Sequence, residues 1–248
     1  MPRQAKKKSN TEIYHVMARG INRQVIFEDE DDYIKFIDTL KTYKAVCGYK
    51  LYAYCLMGNH FHLLVKAELE DLGQIIKRVL CSYVYWYNSK YQRIGHLFQD
   101  RYKSEVVEDE RYFLVVMRYI LRNPVKAGIC NKIGEYRFSS YNYYLKENSG
   151  FVDTDYINSI INKEEFLLFI NENSDDDCLE CDNRDKRLGD SEAMETIQKV
   201  SGCNNITEFQ SLGNEQREEY IKMLRKKGMS IRQISRLTGI SNRIVRIQ

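Results

Sequence analysis

The sequence predicts an α+β protein in which a ferredoxin-like antiparallel sheet with helices precedes a small all-α helix-turn-helix module. Strand-like and helix-like segments alternate through the first half of the chain in the order β-α-β-β-α-β-α. A polar, acidic stretch over residues 171–177 has little to bury and indicates a linker. The patterns beyond residue 191 are helical.

The first strand and helix are delimited by glycines. Residues 12–19 predict a strand because apolar positions recur along it, and Gly20 ends it. Residues 29–46 have apolar side chains at close to helical spacing. Acidic residues open this segment, which favours a helix N-terminus, and Gly48 stops it.

A β-hairpin is predicted next, over residues 51–57 and 60–66. Both segments are apolar and rich in aromatic residues, and Gly58-Asn59 separates them. Gly and Asn tolerate the positive φ of tight turns, so this dipeptide predicts the connection.

The remaining elements of the sheet domain are two helices and a strand. Residues 72–91 predict the second helix and residues 97–107 the fourth strand. Residues 111–123 predict the third helix, which should end before Pro124 because the residue preceding a proline disfavours the α conformation. We expect the helices to cover one face of the sheet.

Charge divides the chain into three parts. The net charge is +3 overall, but +7 over residues 1–150, −8 over residues 151–190 and +4 over residues 191–248. We therefore predict a first domain over 1–150, an acidic linker with short helices over 151–190 and a helical DNA-binding module over 191–248. Basic surfaces suit a polyanion such as nucleic acid, although ordinary solvated surface gives a similar balance.

Composition also restricts the cellular setting. No run of 18 apolar residues is present, and the basic N-terminus lacks the apolar stretch of a secretory signal. The seven cysteines are scattered, which favours a reducing compartment over a disulfide framework or a zinc site. We expect a cytoplasmic, nucleoid-associated protein without a membrane partner.

Four residues suggest metal-assisted chemistry. His60 and His62 lie two apart on a strand, so both imidazoles project from one face, where they can bind a divalent metal. Tyr119 and Asn123 lie four apart on a helix and share one of its faces. The phenol is a possible nucleophile and the amide a possible ligand. Taken singly, each of these residues also fits an ordinary structural role.

Several segments resemble one family in family order. The run 58–64, Gly-Asn-His-Phe-His-Leu-Leu, resembles the His-hydrophobic-His motif of HUH endonucleases. The run 118–128, Arg-Tyr-Ile-Leu-Arg-Asn-Pro-Val-Lys-Ala-Gly, resembles the tyrosine helix of the REP-associated tyrosine transposases, relatives of the single-tyrosine insertion-sequence transposases. Residues 95–104 and 138–141 match the same group, so the resemblance spans residues 10–145.

The resemblance implies a transposase that cleaves and rejoins single-stranded, hairpin-forming DNA. It implies that His60 and His62 bind Mg²⁺ or Mn²⁺, with Asn123 as a third ligand or orienting group. Tyr119 would attack a phosphodiester, leaving a 5′-phosphotyrosine and a free 3′-OH. DNA contacts are expected from basic residues of this domain: Arg101, Lys103, Arg122 and Lys126.

Two alternative functions stay open at this point, and so does the choice between a monomer and a homodimer. One alternative is a DNA-binding regulator derived from such a transposase and without catalytic activity. The other is a metal-dependent phosphodiesterase that uses water, with Tyr119 purely structural.

The C-terminal segment 228–248 predicts a helix-turn-helix. Ser230 and Ser241 are suitable helix caps, and Gly239 falls where the turn needs a positive φ. Arg243 and Arg246 lie on the second helix, from which side chains reach the major groove or its phosphates. A generic helical pair has the same pattern, so DNA binding here is an expectation strengthened by the domain it follows.

Overall fold

The computed structural model divides the chain into two compact units, Met1–Cys181 and Asp182–Gln248. It describes residues 8–68, 70–145, 150–172, 178–179, 190–203, 205–227, 229 and 231–247. Across these residues, no helix combines the length and apolarity needed to cross a bilayer.

Unit 1 is built on a four-stranded antiparallel sheet. The strands are β1 (Ile13–Arg19), β2 (Lys50–Met57), β3 (His60–Lys66) and β4 (Lys103–Val106). Their spatial order is β2-β3-β1-β4. This is the ferredoxin-like arrangement, with the two central strands far apart in sequence, and the predicted fold class is confirmed.

Both faces of the sheet carry helices, so the prediction of helices on one face is wrong. Helices α1 (Glu30–Cys47) and α2 (Leu72–Lys90) cover one face, where Phe36 packs on Phe61 with ring centroids 4.8 Å apart. Helix α3 (Glu110–Lys126) covers the other. The reason is visible along β3, where the consecutive residues 61–65 are buried, so that neither face of the strand is open to solvent. Such a sheet needs a layer on each side.

Two predicted boundaries were wrong for local reasons. Strand β4 begins at Lys103 rather than at residue 97. Helix α3 runs through Pro124 to Lys126. Pro124 lies in the last turn, where its missing N–H removes only one helical hydrogen bond. The helix is terminated instead by the left-handed Gly128, with φ +68°, after which the amide of Ile129 donates to the Pro124 carbonyl in a Schellman motif.

The hairpin between β2 and β3 is present, but its turn does not use a positive φ at Gly58 or Asn59. The turn is held by tertiary hydrogen bonds. The Gly58 carbonyl accepts from the amides of Ile26 and Phe27, and the Asn59 carbonyl accepts from the amide of Gly20. The turn conformation therefore follows from docking against the segment after β1.

The segment expected to be an acidic linker begins inside unit 1. Short helices α4 (Tyr141–Leu145), α5 (Asp155–Ile160) and α6 (Lys163–Asn171) follow α3. Buried apolar residues of this segment belong to the main core, including Ile157, Phe166 and Ile170. The boundary of the compact unit thus lies further along the chain than charge composition indicated. Residues 173–177 and 180–189 lie outside the described part.

Unit 2 is helical in its described residues, with α7 (Asp190–Ser201), α8 (Ile206–Ser211), α9 (Asn214–Lys226), α10 (Ile231–Thr238) and α11 (Asn242–Ile247). Its core is separate from that of unit 1 and includes Ile221, Ile234 and Val245. Gly239, between α10 and α11, has the predicted positive φ of +70°. The predicted cap Ser230 lies outside the described residues.

Candidate active site

The site lies on the face of the sheet that α3 covers. His60 and His62 project from β3 to this face, with ring centroids 5.2 Å apart and the rings nearly perpendicular. Pairing with β1 places Arg19 across from His60 and Met17 across from His62. In the same row, Lys103 of β4 pairs with Met17. Alternation along the strands therefore gathers these side chains on one surface.

The hairpin turn fixes the orientation of His60. The Asn59 amide nitrogen donates to the Arg23 carbonyl at 3.2 Å, so its Oδ1 faces the imidazole. That oxygen lies 2.7 Å from Nδ1 of His60. An amide oxygen only accepts, so Nδ1 of His60 is the donor and the lone pair is on Nε2.

His62 is held by a second, fully buried histidine. Nε2 of His15, on β1, lies 2.9 Å from Nδ1 of His62. The ring centroids are 5.1 Å apart, so the rings meet edge to edge. Nδ1 of His15 lies 3.9 Å from a carboxylate oxygen of Glu105, an ion-pair distance rather than a hydrogen bond.

Burial favours the neutral form of both of these imidazoles. It lowers the pKa of His62 well below its usual range, and the neighbouring histidines lower that pKa further. Burial also lowers the pKa of His15, although Glu105 partly opposes this. A neutral imidazole retains a lone pair on one nitrogen, as metal binding requires.

Helix α3 brings the predicted nucleophile to this cluster. The ring centroid of Tyr119 lies 5.5 Å from that of His62 and 5.8 Å from that of His15, in edge-to-face contacts. Asn123 is also buried and lies one helical turn further along α3. Nζ of Lys126 lies 5.4 Å from the centre of the Tyr119 ring. The phenol thus contacts two imidazoles of the sheet, and a lysine of the same helix lies close to its ring.

Neutral imidazoles and an amide oxygen are donor types that a divalent cation binds. His60 and His62 each have Nδ1 engaged by a fixed neighbour, the arrangement that orients metal-binding histidines through their other nitrogen. Within the described residues, no group of three or more His, Cys, Asp or Glu side chains could enclose a metal. Two imidazoles plus the Asn123 amide would leave coordination positions for water or a substrate oxygen.

The other predicted DNA-binding residues of unit 1 have different surroundings. Lys103 lies on the surface that carries the histidines. Arg101 lines a cavity of about 540 Å³ on the opposite side of the sheet, together with Lys8, Lys77 and Tyr14. Asp71 and Tyr102 line the same cavity.

Arg122 is engaged within the protein. Its guanidinium donates to the carbonyls of Ile170 and Asn171, at 3.2 and 2.9 Å, at the C-terminus of α6. Arg118, one turn earlier, donates to the carbonyl of Phe169 at 3.4 Å. These two arginines join α3 to α6.

The two arginines predicted in the C-terminal module lie on α11. Both Arg243 and Arg246 are exposed, while Val245 between them is fully buried in the core of unit 2. Their side chains are therefore accessible on the outer face of that short helix.

Sequence reasoning missed His15 and Glu105. Three of the four histidines in the chain meet in this site. The scarcity of histidine was an available signal, because His15 lies on the strand predicted to begin the sheet. Glu105 carried no comparable signal, since its proximity to His15 depends on the β1–β4 register.

Comparison with known proteins gives the following similarities. Residues 8–123 match the sequence family described as "Transposase IS200 like". Among solved structures, a REP-associated tyrosine transposase bound to a REP hairpin is similar over 62% of this chain and 96% of that chain, with TM-score 0.51 and 13% identity. A protein of Deinococcus radiodurans R1 with a provisional transposase name has TM-score 0.35 and 19% identity over 48% of this chain and 95% of its own. Curated proteins gave no match.

Proposed function

We propose that residues 8–123, which match the IS200-like transposase family, form a transposase domain that cleaves and rejoins single-stranded DNA through Tyr119. The observation that carries this proposal is the proximity of the Tyr119 ring to His62, with 5.5 Å between the ring centroids. The two residues belong to different elements that pack against each other. A phenol next to a metal-competent pair of imidazoles is suited to attack on a phosphodiester.

The proposed step exchanges one phosphoester for another. Oη of Tyr119 forms a bond to phosphorus while the bond from phosphorus to the 3′ oxygen breaks. The phenol loses its proton, and the departing 3′ oxygen gains one to become a free hydroxyl. The product is a 5′-phosphotyrosine, whose ester energy is retained, so the 3′-OH of a second strand can reverse the step and join DNA without ATP.

His60, His62 and Asn123 would hold a divalent cation, Mg²⁺ or Mn²⁺. When bound, the cation would polarise the phosphate and stabilise charge on the leaving oxygen. Two nitrogen ligands suit Mn²⁺ better than Mg²⁺, which prefers oxygen. We expect DNA phosphates to be contacted by Lys126, whose Nζ lies 5.4 Å from the centre of the Tyr119 ring, and by Lys103, which pairs with Met17 on the face that carries the histidines.

We propose a hairpin-forming strand as the substrate, because the solved relative is described as bound to a REP hairpin. In unit 2, the exposed arginines Arg243 and Arg246 would contact double-stranded DNA if α10 and α11 act as a helix-turn-helix. A catalytically inactive regulator would use the same surfaces for binding alone.

The direct test is Tyr119→Phe. This substitution removes one hydroxyl and retains the ring that contacts His62 and Lys126. Protein is incubated with labelled single-stranded hairpin DNA and Mn²⁺ or Mg²⁺, and the products are separated on a denaturing gel. We expect a covalent protein–DNA adduct from the unmodified protein, none from Tyr119→Phe and none with a chelator. Tyr85→Phe, on an 82% exposed side chain of α2, is the matched control and should retain the adduct.

Other outcomes assign the alternatives. Cleavage that persists in Tyr119→Phe without an adduct would indicate attack by water, with Tyr119 structural. Tight hairpin binding without cleavage by the unmodified protein would indicate a regulator.

A further inference from the structure

We propose that His15 and Glu105 are positioning residues that set the tautomer of His62, so that its Nε2 carries the lone pair directed to the cation site. The inference rests on the proposed function, because that function gives the cation site its role. The contacts from which it is argued do not involve DNA. It is carried by three buried or partly buried groups in line: a carboxylate, an imidazole and a second imidazole.

The direction of the hydrogen bond between the histidines is the central question. A neutral imidazole has one N–H and one lone pair, so either His15 or His62 can be the donor. If His15 donates from Nε2, then Nδ1 of His62 accepts and the proton of His62 is on Nε2, where it blocks a cation. If His62 donates from Nδ1, its Nε2 is a ligand.

Glu105 selects the second arrangement. Its carboxylate is 3.9 Å from Nδ1 of His15, and a carboxylate only accepts hydrogen bonds. A proton on Nδ1 of His15 is attracted to this charge, whereas a lone pair there would be repelled. With that proton on Nδ1, Nε2 of His15 accepts, and Nδ1 of His62 must donate.

Because His15 is buried, its tautomer is set by neighbouring protein groups rather than by solvent. The side chain has 0% exposure, and its Nδ1 has no hydrogen-bond partner among the residues that the structure describes, so the nearby carboxylate is the group that determines where its proton resides. Glu105 is itself held in place: it pairs with His15 across β1 and β4, and it accepts from the amide of Leu179 at 3.2 Å.

His60 supplies an internal comparison. Asn59 fixes its proton on Nδ1 through a separate contact that does not involve β1 or β4. The two imidazoles would therefore present Nε2 lone pairs through independent supports. A change at His15 should alter His62 and leave His60 unaffected.

Long-range ¹H–¹⁵N correlation spectra of the metal-free, DNA-free full chain measure this directly, because they identify the protonated nitrogen of each imidazole. The chain has four histidines, so the spectra are assignable with one His→Gln variant each. We expect His60 and His62 in the Nδ1–H form. In His15→Phe, we expect His62 to shift toward the Nε2–H form while His60 is unchanged.

Binding of Mn²⁺ alone, measured by calorimetry, gives a second readout. His15→Phe should weaken Mn²⁺ binding by about 10–100-fold, the usual effect of removing a group that orients a metal ligand. His15→Gln retains an acceptor oxygen for Nδ1 of His62 and should restore both the tautomer and most of the affinity. Glu105→Leu should reduce the Nδ1–H population of His62. His96→Gln, at an exposed residue, is the control.

The proposal is overturned if His62 of the unmodified protein is in the Nε2–H form. It is equally overturned if a folded His15→Phe protein leaves both the His62 tautomer and the Mn²⁺ affinity as in the unmodified protein, or if Glu105→Leu leaves the Nδ1–H population of His62 unchanged. Failure of the proposed function is distinguishable. Unmodified protein that shows the expected tautomers and Mn²⁺ response but forms no DNA adduct would keep the positioning role and exclude cleavage by Tyr119.

Discussion

Arg122 and Lys126 lie four residues apart on α3, and the structure predicts opposite consequences for their loss. The guanidinium of Arg122 donates to two carbonyls at the C-terminus of α6. Lys126 is exposed, with Nζ over the Tyr119 ring. We therefore expect Arg122→Met to destabilise unit 1 and to leave DNA binding unchanged. Lys126→Met should weaken DNA binding and leave the stability of unit 1 unchanged.

The magnitude for Arg122 follows from its contacts. Each hydrogen bond to a charged group contributes about 1.5–3 kcal/mol when buried. The side chain is only partly buried, so solvent screening reduces the sum to about 1–2 kcal/mol for both bonds. For a unit of this size, such a loss lowers Tm by about 2–8 °C. Methionine retains an apolar side chain of similar length, so the measured loss of stability should not include a large contribution from lost packing.

Thermal unfolding followed by circular dichroism and DNA binding followed by fluorescence anisotropy at several salt concentrations test the pair. Lys126→Met should reduce the slope of log affinity against log salt by about 0.7, the value for one phosphate contact to a single strand. The reasoning is refuted if Arg122→Met reduces this slope as much as Lys126→Met does while Tm is unchanged.

Three further predictions concern protonation, the turn of unit 2 and its arginines. The pKa values of His15 and His62 are lowered in the folded protein, so the unfolded chain binds more protons below pH 6.5. The unfolding free energy of the metal-free protein should therefore fall as the pH is lowered through this range, by up to about 1.4 kcal/mol per group per pH unit. Urea denaturation at several pH values measures this, and a denaturation midpoint that does not change with pH would contradict it. Gly239→Ala places a Cβ on a residue with φ +70° and 2.1 Å from a side-chain nitrogen of Gln210. The unfolding free energy of unit 2 should therefore fall by about 1–3 kcal/mol in the same assay, whereas an alanine substitution at an unstrained position should not lower it. Arg243→Ala and Arg246→Ala should each reduce the salt slope for duplex DNA by about 1 without lowering Tm; equal slopes would assign α11 no DNA contact.

Much of unit 1 was predictable because its signals are local. Strand alternation, the glycines that end β1 and α1, and the four-residue spacing of Tyr119 and Asn123 depend on neighbouring residues. Two errors concern local signals that were weighed wrongly. Pro124 was expected to end α3, but the helix continues because the proline falls in the last turn. The burial of both sheet faces was not recognised from β3, although its run of apolar residues indicates it.

The site was predictable in part for the same reason. His60 and His62 are close in sequence, and the spacing of two predicts a shared face. The contact of His15 with His62 joins strands far apart in the chain and depends on register, which one sequence does not fix. Likewise, no local pattern distinguishes Arg122, which joins α6, from Lys126.

The contact between α3 and α6 gives part of the acidic segment a structural role. The C-terminus of a helix carries partial negative charge, and Arg118 and Arg122 meet the last carbonyls of α6 there. Tyr119, next to Arg118 in sequence, directs its ring to the sheet. Helix α3 is thus held from both sides, by the sheet and by α6. We therefore expect changes in α6, a segment that composition alone would assign to a linker, to alter the distance between the Tyr119 and His62 rings.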